Sequence, residues 1–174
     1  MNMIGLPTTL PEAIDQTNSE HGRYLLGKVL DEIPRGKSVS LIGLAYKPGT
    51  HMIERSFGID LAKWLIAEGR NVIGWDPMAN KEVVKELGTA IHLVDRPEEL
   101  LLADAALILL PLPELKNVNW DLGSHTTIFD FWRVLEEKDQ KKVGKYIPLG
   151  NGTLREEETI LNDKFAFQLE KLTN

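Results

Sequence analysis

Three cationic side chains follow segments that have the apolar character of buried strands. Lys47 and Arg55 lie in the loop after the apolar run 38–43, and Arg133 follows the run 127–130. Lysine and arginine side chains bind phosphate groups through charge-assisted hydrogen bonds. These residues are therefore candidates to bind an anion. The alternatives stay open, because Lys47 is equally well explained as a solvated loop lysine and Arg133 as a member of a salt bridge.

The loop after the first strand differs from the glycine-rich loops that hold dinucleotides and nucleoside triphosphates. It contains Gly43 and Gly49, with Lys47 and Pro48 between them. The pattern G-x-G-x-x-G, which closes the tight turn of a dinucleotide site, is absent, and so is the G-K-[ST] of a P-loop. A longer loop with one lysine suits a single phosphate or a nucleoside diphosphate. We therefore do not expect this sheet to hold NAD in the usual way.

Two acidic features have an alternative explanation in terms of structure alone. Asp76 ends the second strand, where a carboxylate often binds a ribose hydroxyl, but the Pro77 that follows favours a turn-capping role. The stretch 156–158 contains three adjacent glutamates. Adjacent residues on a helix point in different directions, so this stretch indicates a solvated helix face rather than a metal site.

The composition excludes several classes of function. The sequence has no cysteine, so disulfides, thiolate metal ligands and a thiol nucleophile are ruled out. The four histidines are far apart and form no metal-binding spacing. With a net charge of −6 and scattered Lys and Arg, nucleic-acid binding is not expected. No apolar run approaches the ~18 residues of a membrane span, so we expect a cytoplasmic protein that does not associate with a membrane.

The alternation of strand-like and helix-like segments predicts an α/β fold. Strand patterns occupy 38–43, 71–75, 90–94, 105–110, 127–130 and 145–149, and helical patterns occupy 56–68, 80–87 and 97–103. Such repeats predict a doubly wound, Rossmann-like parallel sheet of about six strands in the order 3-2-1-4-5-6. Ligands of these folds bind beyond the carboxyl ends of the strands, between strands one and four. This arrangement places Lys47, His51, Arg55, Glu114 and Arg133 around one site.

A long N-terminal helix is predicted ahead of the first strand. Apolar and part-apolar residues recur at multiples of three and four positions and end before Pro34, namely Leu10, Ile14, His21, Leu25, Val29 and Ile33. The helix either packs back on the sheet or is the end of a longer helix from a neighbouring domain. We therefore predict a helical lead over 1–36 and a nucleotide-binding domain over 37–174, with a peripheral helix at 153–174.

Several motifs together resemble one family, the UDP-glucose/GDP-mannose dehydrogenases, in their carboxy-terminal UDP-binding domain. That family carries G-L-A-[FY]-K-P-x-T after a strand, and here residues 43–50 are GLAYKPGT, followed by HMIERS at 51–56. The likeness continues in the Asp-Pro at 76–77, the Asp-x-Arg-like element at 130–133 and the tyrosine strand at 146–150. The helix of the N-terminal segment is similar to the end of the family's central, dimer-forming region. The resemblance covers about residues 15–150.

The resemblance implies a domain that closes over the UDP end of a nucleotide sugar in polysaccharide biosynthesis. Tyr46, Lys47, Arg55 and Arg133 would face the UDP moiety, and a homodimer through the N-terminal helix is possible. The motif departs from the family in several places. His51-Met52 replaces the usual Asp-Asp, and Arg55 stands one place late. The Asp-x-Arg element has one extra residue, and 110–113 replaces a Thr-rich end of strand four.

Two parts that carry the family's reaction are not in this sequence, the glycine-rich NAD domain and the catalytic cysteine. The complete enzyme uses NAD to oxidise a sugar alcohol through a thiohemiacetal. Because that covalent route needs a thiolate, we expect this chain to bind no cofactor and to be inactive alone. The alternative is a non-catalytic structural or assembly domain whose nucleotide loop is vestigial.

Overall fold

Six short parallel strands form the sheet that the sequence predicts. The computed structural model describes residues 9–150, in which the strands pair in the order β3-β2-β1-β4-β5-β6, every pair parallel. The strands are β1 Ser38–Ile42, β2 Asn71–Trp75, β3 His92–Leu93, β4 Ala105–Ile108, β5 Thr127–Asp130 and β6 Lys145–Pro148. The predicted doubly wound fold and its strand order are therefore confirmed. The glutamates at 156–158 and the helix predicted at 153–174 lie outside the described residues.

Four α-helices accompany the strands. They are α1 Thr9–Glu32, α2 Phe57–Ala67, α3 Asn80–Leu87 and α4 Glu137–Gln140. The segments 88–90, 97–102, 113–117 and 120–123 are 3₁₀ turns. Within residues 9–150, none of the helices combines the length and the apolar character needed to cross a bilayer.

Strand β3 is shorter than the predicted 90–94, because a 3₁₀ turn at Gly88–Ala90 occupies the start of that segment. It is also an edge strand, where short pairing limits unwanted strand addition. The segment from Pro97 is a 3₁₀ turn over Pro97–Leu102 rather than an α-helix. These differences leave the carboxyl ends of β1, β4 and β5 where the topology predicts them.

The centre of the sheet is apolar on both faces. All four residues of β4 are buried, and so are four of the five in β1. A continuous apolar run is the pattern of a parallel strand covered by helices on both sides. Phe129 in β5 and Leu107 in β4 are among the largest fully buried side chains. This core fixes the strand ends from which the candidate loops emerge.

The two halves of α1 have different surroundings. The later half joins the domain: Val29 is in the core, and a Cβ on Gly22 would lie 3.1 Å from the Trp64 ring of α2. The earlier half stays exposed, with Leu10 at 71% and Ile14 at 51% exposure. The later half of the helix thus packs on the domain, and the apolar side chains of its first turns stay exposed.

A closed polar cluster joins β1 and β4 at the amino edge of the sheet. The Asp104 carboxylate pairs with Lys37 Nζ at 2.9 Å and accepts hydrogen bonds from the Ser38 backbone N at 2.8 Å and from Ser38 Oγ at 2.7 Å. Ser38 Oγ in turn accepts from Asp104 N at 3.0 Å. The hydrogen bond from Lys37, followed by that from the Ser38 backbone, holds the pKa of Asp104 well below its usual value.

Candidate functional site

The loop after β1 leaves the sheet through a close contact that requires glycine. Gly43 has φ of +91°, and a Cβ there would lie 2.7 Å from the Cβ of Leu110. Gly58, in the first turn of α2, lies so near that its own Cβ would be 2.9 Å from the Gly43 carbonyl oxygen. The turn from β1 to α2 is therefore closed by two glycines fifteen positions apart, and not by a local G-x-G-x-x-G.

Asp76 holds this loop from inside the protein. Its side chain is buried, and one oxygen accepts hydrogen bonds from the backbone N–H groups of Leu44 at 2.9 Å and Ala45 at 3.0 Å. The other oxygen accepts from Met78 and Ala79, both at 2.9 Å. A carboxylate with two donors on each oxygen has no acceptor left for a ribose. The turn-capping role predicted for Asp76 is confirmed, and it extends to the loop after β1.

The same hydrogen bonds to Asp76 determine which backbone N–H groups of the loop could contact a phosphate. In many α/β folds the backbone N–H groups after the first strand point at the ligand. Here the N–H groups of Leu44 and Ala45 are already bonded to Asp76. These two N–H groups are therefore not available to an anion, in contrast to the corresponding groups of such folds.

Ser56 connects the loop to α2. It is buried and is the N-cap of α2, where its Oγ accepts from Gly58 N at 3.2 Å. The same hydroxyl donates to the carbonyl oxygen of Leu44 at 2.7 Å. Such capping satisfies helix-end donors that would otherwise lack partners. The start of α2 and the end of β1 are thereby fixed relative to each other.

A second buried carboxylate, Asp130, holds the turn after β5. It accepts hydrogen bonds from the backbone N–H groups of Trp132 and Leu135, each at 3.0 Å, and from Tyr146 Oη at 3.2 Å. Burial, reinforced by the Asp130 charge, raises the pKa of Tyr146 to about 12, while the charge of Arg133 acts in the opposite direction. The phenol therefore stays protonated and remains a donor to Asp130 at neutral pH.

Two predicted site residues share an uncommon backbone conformation. Arg55 has φ of +57° and Arg133 has φ of +55°, and within residues 9–150 no other non-glycine residue has positive φ. This region costs free energy for residues with a Cβ, and such residues cluster at functional sites. Arg55 forms an ion pair with Asp15 of α1. Both arginine side chains are exposed at the carboxyl edge.

A cavity lies at this edge, beneath the middle of α1, from Asp15 to Leu25. It has a volume of about 840 Å³, within the usual range for ligand sites. Its walls come from α1, from the loop after β1, from α2 and from the ends of β4 and β5. Among the lining residues are five aromatic ones, Tyr46, Phe57, Trp64, Phe131 and Trp132.

The charged side chains around the cavity are few. Of the described residues that line it, Arg55 is the single lysine or arginine, and Asp15 and Asp60 are the two carboxylates. His21 of α1 also lines it. Because Asp15 already pairs with Arg55, the cavity does not present a free excess of positive charge. A diphosphate bound here would need a further cation from outside the lining.

The structure brings only part of the predicted residue set to this cavity. Tyr46 and Arg55 line it, whereas Lys47, His51 and Arg133 are exposed in the neighbouring loops and do not. Glu114, in the 3₁₀ turn after β4, is also outside the lining.

The loops that carry Lys47 and Arg133 emerge from the same edge. They follow β1 and β5, which flank β4, so the strand ends are about 10 Å apart at the usual ~4.8 Å spacing. The convergence of these two cations on one ligand stays a prediction.

Sequence reasoning did not single out Trp132, Asp15 or Asp130. Trp132 and Asp130 belong to the stretch 130–133 that carries the resemblance, but the sequence predicted a site role only for Arg133 of that stretch. The indole ring of Trp132, and not the guanidinium group of Arg133, lines the cavity. Asp15 carried no signal, because its role depends on how α1 crosses the loop that holds Arg55.

Comparison with known proteins agrees with the geometry of this edge. Residues 40–137 match the family model described as the UDP-glucose/GDP-mannose dehydrogenase family, UDP binding domain. The chain belongs to this family. The match begins within β1 and continues past β5. It includes every segment that lines the cavity except the helix α1.

The relatives of this UDP-glucose/GDP-mannose dehydrogenase domain are longer proteins. The UDP-glucose 6-dehydrogenase AglM of Haloferax volcanii is 37% identical over 137 residues, 76% of this chain and 31% of that protein. The UDP-glucose 6-dehydrogenase of Rickettsia conorii is 27% identical over 150 residues, 80% of this chain and 35% of that protein. The chain thus spans about a third of the length of these relatives.

A solved structure gives the same answer for the fold. The UDP-glucose dehydrogenase of Pyrobaculum islandicum superposes with a TM-score of 0.67 at 26% identity, covering 83% of this chain and 33% of that one. The coverage extends beyond the 40–137 match, which is consistent with the packing of the later half of α1 on the sheet.

Proposed function

We propose that this chain is the nucleotide-sugar-binding, C-terminal domain of a nucleotide-sugar 6-dehydrogenase and that it binds the UDP end of its substrate. The observation that carries the proposal is the cavity of about 840 Å³ at the carboxyl edge of a sheet that belongs to the UDP-binding domain family. In the complete, cytoplasmic enzyme this domain would act beside an NAD domain and a catalytic cysteine. The chain alone would bind the nucleotide without oxidising it.

In the proposed complex, side chains inside the cavity and cationic side chains beside it would contact different parts of the nucleotide. Tyr46 and Arg55 line the cavity and would contact the nucleoside and its nearest phosphate. Lys47 and Arg133 are exposed beside the cavity and have no ion pair among residues 9–150. Cations without a carboxylate partner are available to a diphosphate, and they would supply the charge that the cavity itself lacks.

Titration calorimetry of the full chain with UDP, UDP-glucose, GDP-mannose and NAD tests the proposal. We expect saturable binding of UDP and UDP-glucose. Lys47→Ala should weaken it by ~1–3 kcal/mol, the scale of a charge-assisted hydrogen bond. Lys81→Ala, which removes an exposed lysine from α3, is the matched control and should leave affinity unchanged.

Two outcomes would count against this assignment. If no nucleotide gives heat at millimolar protein, the domain does not bind the substrate on its own. If UDP binds but Lys47→Ala and Lys81→Ala behave alike, the loop lysine has no part in recognition. If the chain instead binds GDP-mannose more tightly than UDP-glucose, the proposed site stands and only the identity of its nucleotide changes.

The second candidate is a structural or assembly role, and the early half of α1 favours it. Leu10 and Ile14 are large apolar side chains on that half, and they are 71% and 51% exposed. A homodimer through this helix would cover both side chains. Light scattering of the wild type and of Ile14→Glu distinguishes a dimer that dissociates from a monomer that was never associated. Val84→Glu, which places the same charge at a 54% exposed apolar position of α3, is the matched control.

A further inference from the structure

Trp132 combines exposure with a fixed position. Its side chain is 57% exposed. Nevertheless the indole Nε1 donates to the carbonyl oxygen of Leu109 at 2.8 Å, and the backbone N donates to Asp130 Oδ1 at 3.0 Å. The first bond orients the ring against the end of β4, and the second fixes the turn that carries it. A large ring that is ordered without being covered offers a flat surface at little entropic cost.

The backbone after Trp132 separates two neighbouring side chains. Arg133 has φ of +55°, which redirects the chain at that residue. Trp132, which precedes this turn, lines the cavity, and Arg133 does not. The turn after β5 therefore presents a ring to the cavity where a sequence comparison alone would look for a charge.

The surroundings of Trp132 favour a planar ligand group. Tyr46, which is 56% exposed, lines the same cavity from the loop after β1. Below them Phe131 and Phe57 contact each other with ring centroids 5.8 Å apart, in a tilted arrangement. Aromatic side chains bind nucleobases by stacking, with little dependence on charge.

We propose that Trp132 is the stacking platform for the nucleobase of the bound nucleotide and thereby a binding determinant that is distinct from the cationic residues. This inference rests on the function proposed above. The cavity has one arginine, already paired with Asp15, but several rings, so the base end of the ligand fits its lining better than the diphosphate end does. The diphosphate would extend from the cavity toward Lys47.

The test compares ligands that share either the base or the phosphates. The full chain and two variants, Trp132→Leu and Trp132→Phe, are titrated with UDP, with uridine monophosphate and with inorganic pyrophosphate. Loss of a stacked ring weakens base binding by roughly tenfold or more. We therefore expect Trp132→Leu to weaken the binding of UDP and of uridine monophosphate by at least that factor and to leave the affinity for pyrophosphate unchanged. Trp132→Phe keeps a ring and should lie between the wild type and Trp132→Leu.

Fluorescence provides a readout that a structural role would not produce. Trp75 and Trp120 are 6% and 3% exposed, whereas Trp64 is half-buried and lines the cavity together with Trp132. UDP should therefore quench the emission of the wild type and of Trp64→Phe, and most of that quenching should be lost in Trp132→Phe, although the last variant still binds. Thermal unfolding shows whether each variant remains folded, and Trp132→Phe carries the test if Trp132→Leu does not fold.

The possible results separate the stacking role from the proposed function. If UDP binds the wild type and both Trp132 variants equally well, the stacking role of Trp132 is wrong, but the proposed nucleotide site stands. Equal weakening of UDP and pyrophosphate also overturns the stacking role, because the residue would then act on the fold of the site. Absence of any nucleotide binding to the wild type overturns both proposals.

Discussion

The two edges of the sheet use carboxylates in different ways. At the amino edge Asp104 pairs with Lys37 and Ser38, so that the charges at this end satisfy one another. At the carboxyl edge Asp76 and Asp130 are buried and bind backbone N–H groups of the loops. These two carboxylates hold the loops from within, whereas Tyr46, Lys47, Arg55, Trp132 and Arg133 of the same loops stay exposed. The amino edge thus uses its carboxylate in a surface ion pair, and the carboxyl edge uses its carboxylates to fix the loops around the cavity.

The largest expected effect concerns the buried anchor of the carboxyl edge. Asp76→Ala leaves four backbone N–H groups without the acceptor that they share. Buried donors without partners cost about 1–3 kcal/mol each, and relaxation of the loops recovers part of this. We expect the free energy of unfolding in urea to fall by about 3–5 kcal/mol. Asp95→Ala, which removes an exposed carboxylate near the same edge, should change it by less than about 0.5 kcal/mol. Similar losses in the two variants would show that Asp76 is not an anchor.

A smaller effect is expected where the two glycines of the carboxyl edge meet. Gly58→Ala would place a Cβ 2.9 Å from the Gly43 carbonyl oxygen, which is backbone and cannot easily move. The contact should outweigh the gain in helix propensity, so we expect a loss of about 1–3 kcal/mol in thermal or urea unfolding. Gly27→Ala in α1 is the matched control, because a Cβ there meets nothing within 4 Å. It should stabilise the domain by up to about 1 kcal/mol. Stabilisation by both variants would mean that the turn is loosely packed.

The amino edge should respond to pH through Asp104. Its pKa is depressed in the folded state, so its contribution to stability is present above the unfolded pKa near 3.8 and is lost as pH falls toward the folded pKa. Asp104→Asn should therefore cost about 1 kcal/mol at pH 7, a modest value because the carboxylate is 41% exposed and screened by solvent. The gap between the variant and the wild type should be the same at pH 7 and pH 5, begin to narrow below about pH 3.8, and close only as the pH approaches the folded pKa. Urea unfolding at pH 7, 5 and 3 measures this difference, and a constant gap across that range would contradict it.

The sequence predicts the fold better than the site, for physical reasons. The strand order follows from apolar runs such as 105–110 and from the handedness of crossovers, both of which are local or general rules. The function of Asp76 was also predictable, because Pro77 marks a turn. The cavity depends on tertiary contacts that leave no local pattern, such as the crossing of α1 that brings Asp15 to Arg55. Trp132 was hidden for the same reason, since its place in the cavity depends on the hydrogen bond from its indole to Leu109 and on the turn held by Asp130, neither of which is a local sequence pattern.

The smallest expected effect concerns the ion pair that covers the cavity. If Arg55 binds a phosphate, as proposed, the Asp15 carboxylate competes with that phosphate for the guanidinium group, and both side chains are largely exposed. Pairs of this kind contribute about 0.2–1 kcal/mol. Asp15→Asn should therefore strengthen UDP binding by about two- to fivefold in calorimetry, since the arginine is released and a negative charge is removed from the cavity. Asp31→Asn, at the other end of α1, is the control and should have no effect.

A double variant separates release of Arg55 from a general change in charge. If Asp15 acts through Arg55, adding Asp15→Asn to Arg55→Ala should give no further gain in affinity, because the cycle measures the coupling of the two residues. If the gain persists without the arginine, Asp15 acts on the ligand directly by repulsion. Weaker UDP binding by Asp15→Asn would show that the pair holds Arg55 in its binding position. The carboxyl edge would then resemble the amino edge, in that its charge pair is part of the structure and not an obstacle to the ligand.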